Sequence, residues 1–181
     1  MIDAKKNRTK NFKRLMRRIS KKEKGALEAF YSYYGKIIKA TAYQICKKRE
    51  DVNEVVNDVL LKVWKAAHNV KELDIQNPEG WVYTVTANAA KTHQSKIKEY
   101  ALLDEQLPAF PALDNDLTSN DDFLYIISIL SDIEKQIMIL KFLCHSTFEE
   151  ISVEEHKPVS TISSIYYRAL EKLKNNSKKS E

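Results

Sequence analysis

Glycine and proline are scarce, with three and four in 181 residues. So few turn residues, set among helix formers and without a clear alternating apolar–polar run, exclude a strand-rich fold and predict an all-α protein. Only two cysteines are present, Cys46 and Cys144, far apart and in no Cys-x-x-Cys pair. That excludes a disulfide framework or zinc site and predicts buried thiols in a reducing cytoplasm. The four histidines show no metal-ligand spacing, so no metal and no cofactor is expected. No apolar stretch approaches the roughly 18 residues of a membrane span, and no hydrophobic signal core follows the basic N-terminus. The expectation is a soluble, cytoplasmic protein with no membrane partner. There is no Gly-rich phosphate loop, the carboxylates are scattered, and no nucleophile sits in a recognisable setting, so an enzyme is not expected.

What the chain does have is charge, unevenly placed. Residues 1 to 24 hold eleven Lys or Arg against Asp3 and Glu23, a local +9, which leaves −4 for the rest of a chain of net charge +5. Any attraction to phosphate is therefore concentrated at the N-terminus. Phe12, Leu15, Met16 and Ile19 fall at helical spacing inside this run. The pattern fits a helix docked on the first domain, a phosphate-contacting arm or a membrane-surface helix.

A second charge feature divides the chain. The segment YALLDEQLPAFPALDNDLTSNDD, from Tyr100 to Asp122, contains Pro108, Pro111 and six acids but no Lys or Arg. Proline disfavours helix in itself and in its predecessor, so this reads as an extended acidic linker. The predicted organisation is two small helical domains, 1–99 and 123–181, joined by the linker 100–122.

The second domain carries the sharpest local signal, TFEEISVEEHKPVSTISSIYYRALEKL, from Thr147 to Leu173. Thr147 and Glu150 form a capping box, in which the hydroxyl accepts one orphan amide and the carboxylate another, so a helix starts there. Ser131 and Glu134 predict the same device one helix earlier. Pro158 suits the first turn of the next helix, whose buried stripe is Ile162, Ile165, Tyr166, Ala169, Leu170 and Leu173. Two short helices at a sharp turn make a helix-turn-helix. Its second helix leaves Ser160, Ser164, Tyr167 and Arg168 opposite the stripe, groups suited to base edges and phosphates in a major groove. An ordinary helical hairpin would show the same pattern.

Three further helical patterns fill the first domain. Ser20 and Glu23 predict a cap for the first, with apolar positions Leu27, Phe30, Tyr31, Tyr34, Ile37, Ile38 and Tyr43. In the second, DVNEVVNDVLLKVWKAA, Val52, Val55, Val56, Val59, Leu60, Val63 and Ala67 form one stripe. Leu61 lies on the other side among Glu54, Asn57, Asp58 and Lys65, with Trp64 at the margin. An apolar residue ringed by polar ones is a plausible docking anchor, although single exposed leucines are common. The third, following Asn77-Pro78-Glu79-Gly80, is predicted to begin near Trp81. Trp81, Tyr83, Asn88, Lys91, Gln94, Lys96 and Lys98 set aromatic stacking groups beside donors and cations, a combination that suits unpaired nucleic acid. Trp81 and Tyr83 could equally be partly core.

Taken in order, DVNEVVNDVLLKVWKAA, NPEGWVYTVTAN and SDIEKQIMILKF…TFEEIS…STISSIYYRALEKL resemble an extracytoplasmic-function-type sigma factor of bacterial RNA polymerase, over roughly Leu15 to Asn175. The resemblance implies a two-domain α protein that binds core polymerase and recognises both promoter elements, −10 with the first domain and −35 with the helix-turn-helix. By position it implies core docking through Glu54, Asn57, Asp58, Leu61 and Trp64. It implies −10 recognition and melting through Trp81, Tyr83, Asn88, Lys91, Gln94 and Lys96. For −35 it implies Ser160, Thr161, Ser163, Ser164, Tyr167 and Arg168. The partners implied are core polymerase and promoter DNA, with an anti-sigma factor open as a third. The linker is similar to those that run through the polymerase's RNA-exit path.

Three features depart from the family pattern. After Asn88 the chain reads KTHQSKIK, without the usual arginines; His156 replaces the turn glycine; and Pro158 replaces the capping serine. Few cations on these segments predict weak binding to free DNA. The alternative reading is a helix-turn-helix transcriptional regulator that binds DNA without being a polymerase subunit. Another is a sigma-like remnant that binds polymerase without reading promoters.

Overall fold

The computed structural model describes residues 2–68, 75–103 and 122–177, with no account of the side chains of 2–4, 98–103, 122 and 177. Among the described residues all regular structure is helical, and the chain divides into two compact units, 1–105 and 106–181. The acidic segment 104–121 lies outside the described residues, but its predicted edges shift. Helix continues through Leu103 and resumes at Asp122, so Tyr100 to Leu103 belong to the first unit's last helix rather than to an extended linker.

The first unit is built from α1 (Ile2–Ser20), α2 (Ala26–Cys46), α3 (Arg49–Ala67) and α4 (Pro78–Leu103). α2 is the central element, packed on both α3 and α4, and α1 lies across α2, α3 and α4. Of the three readings open for the basic N-terminus, the structure shows the docked helix: Phe12, Leu15, Met16 and Ile19 are all buried. The Phe12 ring meets Phe30 and Tyr34 of α2 edge-on at 6.3 and 5.9 Å, and Trp81 of α4 at 5.5 Å. Beside this knot, Arg8 Nε stands 3.4 Å from the buried carboxylate of Glu79. Burial, then the Glu79 carboxylate, push the Tyr34 phenol well above its ordinary value, so it stays neutral.

Ser20 and Glu23 do not cap α2. Instead α1 ends there: Lys22 turns left-handed at φ 56°, its N–H donating to Ile19 and that of Glu23 to Arg18. The Glu23 carboxylate closes on Arg18 at 2.9 Å. α2 starts only after Gly25, whose φ of 76° is a conformation glycine adopts without strain. α4 begins earlier than expected. Asn77 is its cap, accepting from Gly80 N–H through Oδ1 at 3.0 Å, with Pro78 at the first helical position. A Cβ on residue 80 would stand 3.0 Å from that Asn77 amide, so any other residue there would require the capping side chain to shift.

The second unit contains α5 (Asp122–Ile127), α6 (Asp132–Met138) with a π-helical turn at Ile139–Leu143, α7 (Phe148–Glu155) and α8 (Val159–Ser177). Its core is Leu124, Ile127, Leu130, Ile137, Ile139, Leu140, Ile151, Ile162, Ile165 and Ala169. Both expected capping boxes are present, Ser131 with Glu134 and Thr147 with Glu150. Pro158 stands one place earlier than predicted, as the residue whose carbonyl accepts the first bonds of α8, from Thr161 and Ile162.

The turn between α7 and α8 survives without its glycine. His156 takes the left-handed conformation, φ 52° and ψ 41°, and closes α7 with bonds from His156 N–H to Val153 and Lys157 N–H to Ser152. Left-handed backbone costs a residue bearing Cβ about 1 to 2 kcal/mol. His156→Gly should therefore stabilise this unit, by about 0.5 kcal/mol once the greater freedom of glycine in the unfolded chain is subtracted. His156→Val should destabilise it by more than about 1 kcal/mol. Urea titration of both variants checks the pair, and equal stability of all three proteins would sink the strain argument.

Glu134 ties α6 to α8. It is buried, and Lys172 Nζ donates to both its oxygens, at 2.8 and 2.9 Å. Burial alone would raise its carboxyl. The Lys172 bonds, with the Ser131 N–H and hydroxyl, outweigh that and hold it down, from 4.5 to about 2. A depressed carboxylate stabilises the fold above its unfolded value, and this contribution is lost as pH falls from 4.5 towards 2. Glu134→Gln should cost roughly 2 kcal/mol at neutral pH, allowing for the solvent that reaches Lys172, and should flatten the acid limb of the stability curve. Denaturation at a series of pH values reads this; an unchanged slope between 4.5 and 2 would show that the ion pair contributes nothing.

Candidate functional site

Helical periodicity separates each element into a face committed to the core and a face left over, and the predicted site residues divide accordingly. On α3 the stripe Val52, Val55, Val56, Val59, Val63 and Ala67 is buried, with Leu60 partly so. Leu61 on the far side is 50% exposed, flanked by exposed Glu54, Asn57 and Asp58. Trp64 is half-buried, its ring edge-on to His68 at 4.9 Å and lining a cleft with Ile19, Ala26 and Leu27. It borders the exposed patch rather than standing in it.

α4 brings together only part of its predicted set. Trp81, Asn88, Lys91 and Lys96 lie on one outward face, at i, i+7, i+10 and i+15. Tyr83 does not join them. It is 3% exposed, inside the core against the other helices, so its ring is not available for stacking. Gln94 sits three turns further along that same inner side, and its Nε2 donates to the Ile45 carbonyl at the end of α2 at 2.6 Å. Its amide is committed to holding α4 on α2. Trp81 itself is half-buried, with one edge on Phe12. Lys98 has no described side chain.

The sequence reading missed Thr84 and Thr92, which share the face of Trp81 and Asn88 at helical spacing. Their hydroxyls donate to the Gly80 and Asn88 carbonyls, leaving oxygen lone pairs outward. Projecting i+3 from Trp81 and i+4 from Asn88 would have found them. His93 was also unremarked. Its Nε2 is 3.2 Å from Asp51 and its Nδ1 is 3.6 Å from Glu54, so one ring joins α4 to the Leu61 helix.

On α8 the expected face is largely open. Ser160, Thr161, Ser164, Tyr167 and Arg168 are exposed and Ser163 partly so, while Ile162, Ile165 and Ala169 are buried. The Ser163 and Ser164 hydroxyls both donate to the Ser160 carbonyl, at 3.0 and 2.8 Å, so they face outward as acceptors. Tyr167, 62% exposed, leans its ring on Tyr166 and Phe148. Of the other cations of α8, Lys172 is held by Glu134, while Lys174 is exposed on the same side as Ser160 and Arg168. Glu171, exposed on the same side, adds an acid that the prediction did not include.

Among the described residues no group of three or more His, Cys, Asp or Glu could hold a metal ion, and no helix is long and apolar enough to cross a membrane. Both thiols are buried and neither is in a disulfide, and burial followed by the Asp51 charge pushes Cys46 up to about 11.

These surfaces fall within two family matches. Residues 30–99, which include all of α3 and most of α4, match the sigma-70 region 2 model, and residues 126–175, which include the helix-turn-helix, match the sigma-70 region 4 model. No curated protein matches the chain. The two regions together are the pair typical of extracytoplasmic-function sigma factors, and they span about two thirds of the sequence in the order the motifs require. The chain belongs to the sigma-70 family: it is an RNA polymerase sigma factor that recognises −10 and −35 promoter elements.

Proposed function

We propose a division of labour among the three outward faces. The Leu61 face of α3, with Glu54, Asn57 and Asp58, docks on core polymerase. The Trp81–Asn88–Lys91–Lys96 face of α4 engages the −10 element, with the free part of the Trp81 ring stacking on an unpaired base. Ser160, Thr161, Ser163, Ser164, Tyr167 and Arg168 of α8 read the −35 element in a major groove. Polymerase supplies the chemistry, and the protein works beside it in the cytoplasm as an initiation factor rather than as an enzyme.

The observation that carries this reading is the split of α3. Its valine stripe is fully spent in the core, yet Leu61 remains half exposed between carboxylates and an amide. Burying such a leucine against a partner is worth about 1.5 to 3 kcal/mol. Leu61→Asp should therefore weaken core binding roughly 10- to 100-fold while leaving both helical units folded. Co-sedimentation with purified core checks this, and wild-type affinity in the variant would show that the docking face lies elsewhere.

Arg168→Ala should reduce discrimination in favour of the −35 sequence by about 1 to 3 kcal/mol, with core binding unchanged. Competition between promoter fragments altered at −35 and unrelated DNA gives the readout. Equal loss on both would mean that Arg168 meets phosphate only. Run-off transcription with core polymerase on genomic fragments supplies the promoters for this test. Core binding without any new start site would favour a chain that has lost promoter reading or is held by an anti-sigma factor.

A further inference from the structure

α1 precedes the region 2 match, which begins at residue 30, so that match assigns it no part. Its inner side accounts for Phe12, Leu15, Met16 and Ile19. Its outer side is Lys6, Lys10, Lys13, Arg14 and Arg17, exposed except for the half-buried Lys13. Arg14 donates to Asn11 Oδ1 at 2.8 Å, and among the described residues none of these five cations is paired with a carboxylate. No acid occurs between Asp3 and Glu23. A soluble helix ordinarily intersperses opposite charges on its outer face, so five unbalanced cations are costly unless something anionic meets them.

Several partners fit a cationic stripe in general. A membrane-surface helix needs its apolar face free to enter the interface, and here that face is core. Single-stranded nucleic acid calls for exposed aromatic platforms, whereas Phe12 is the lone aromatic of α1 and is buried. The stripe from Lys6 to Arg17 is rigid and roughly 17 Å long, over which one strand of B-form DNA presents about five phosphates. It is also fixed to the promoter-facing helix: Phe12 packs on Trp81, and Arg8 pairs with Glu79 in the first turn of α4.

We propose that the outer face of α1 is a contact for the phosphate backbone of duplex DNA, held beside the −10-engaging face of α4 by the Phe12–Trp81 and Arg8–Glu79 contacts. This rests on α4 engaging promoter DNA. It carries no sequence information, so it adds affinity and positions the duplex without choosing it. It also supplies cations to a molecule whose reading helices carry few.

The test replaces Lys10→Gln, Arg14→Gln and Arg17→Gln together in the full chain, which keeps helix propensity at solvent-facing positions. Binding to two duplexes of equal length, a promoter fragment and a random sequence, is measured with core polymerase and with the chain alone across a salt series. Three lost phosphate contacts should lower the slope of log K against log salt by about 2.7 on both duplexes, with core affinity unchanged. The charge-preserving set Lys10→Arg, Arg14→Lys and Arg17→Lys should keep the wild-type slope. An unchanged slope on duplex overturns the proposal. So does a fall in core affinity in its place, which would make an acidic polymerase surface the partner, or an effect confined to single-stranded DNA. If the wild type shows no preference for any promoter, the promoter reading of α4 fails by itself, while the random-duplex slope still decides the role of α1.

Discussion

The aromatic knot of Phe12, Phe30, Tyr34 and Trp81 is the contact on which the arrangement of the first unit depends. It joins three helices through one ring: Phe12 lies within about 6 Å of partners on α2 and α4, all edge-on. With Phe12 in place, α1 has no freedom to act as a detached arm, α4 is fixed at its first turn, and the Trp81 ring keeps one edge in the core and the rest towards solvent. The neighbouring Arg8–Glu79 ion pair, at 3.4 Å, adds a charge contact between α1 and α4 beside it. Everything offered to polymerase or DNA by this unit is the remainder after that packing is satisfied.

The second unit solves a different problem, which is how to hold a sharp turn and a reading helix with a small core. Capping boxes at Ser131 and Thr147 fix where α6 and α7 start, and His156 accepts a left-handed conformation to let the chain reverse. The Glu134–Lys172 pair then clamps α8 on α6. The clamp thereby engages internally a lysine that lies at the edge of the proposed recognition face. The proposed recognition face carries hydroxyl oxygens, one tyrosine, the cations Arg168 and Lys174, and an acid at Glu171. That is a surface better fitted to selecting among sites once docked than to binding DNA unaided. Delivery by polymerase suits such a surface.

Electrostatics follows the same logic at the scale of the chain. Cations are concentrated on α1, whose outward Lys6, Lys10, Lys13, Arg14 and Arg17 meet no carboxylate among the described residues, while the helices proposed to face bases carry few. Separating general phosphate attraction from sequence reading lets each be tuned without disturbing the other. His93 shows the opposite arrangement, a single ring shared by Asp51 and Glu54, which couples the helix bearing Leu61 to the helix bearing Asn88. The faces proposed for docking and for the promoter are thus joined by a polar contact as well as by core.

Local signals settled a good deal before any fold was known. The valine stripe of α3, the two capping boxes, the isolation of Leu61 and the hydroxyl-rich side of α8 could all be read because they depend on spacing within one helix, a distance of a few residues. The start of α4 is legible too, in Asn77 followed by Pro78, although the same tetrapeptide also fits a turn. What spacing could not decide was which residues a neighbouring helix would claim. Tyr83 and Gln94 carry the chemistry of a nucleic-acid face, but α2 covers their side of α4. Lys172 resembles a phosphate ligand until Glu134 is brought to it from 38 residues away. The basic N-terminal run was open to three roles until Phe12 found its pocket. A sequence determines the period of a helix and so which residues share a face; only tertiary packing, through the apolar area one helix buries on another, decides which of those faces is left for function.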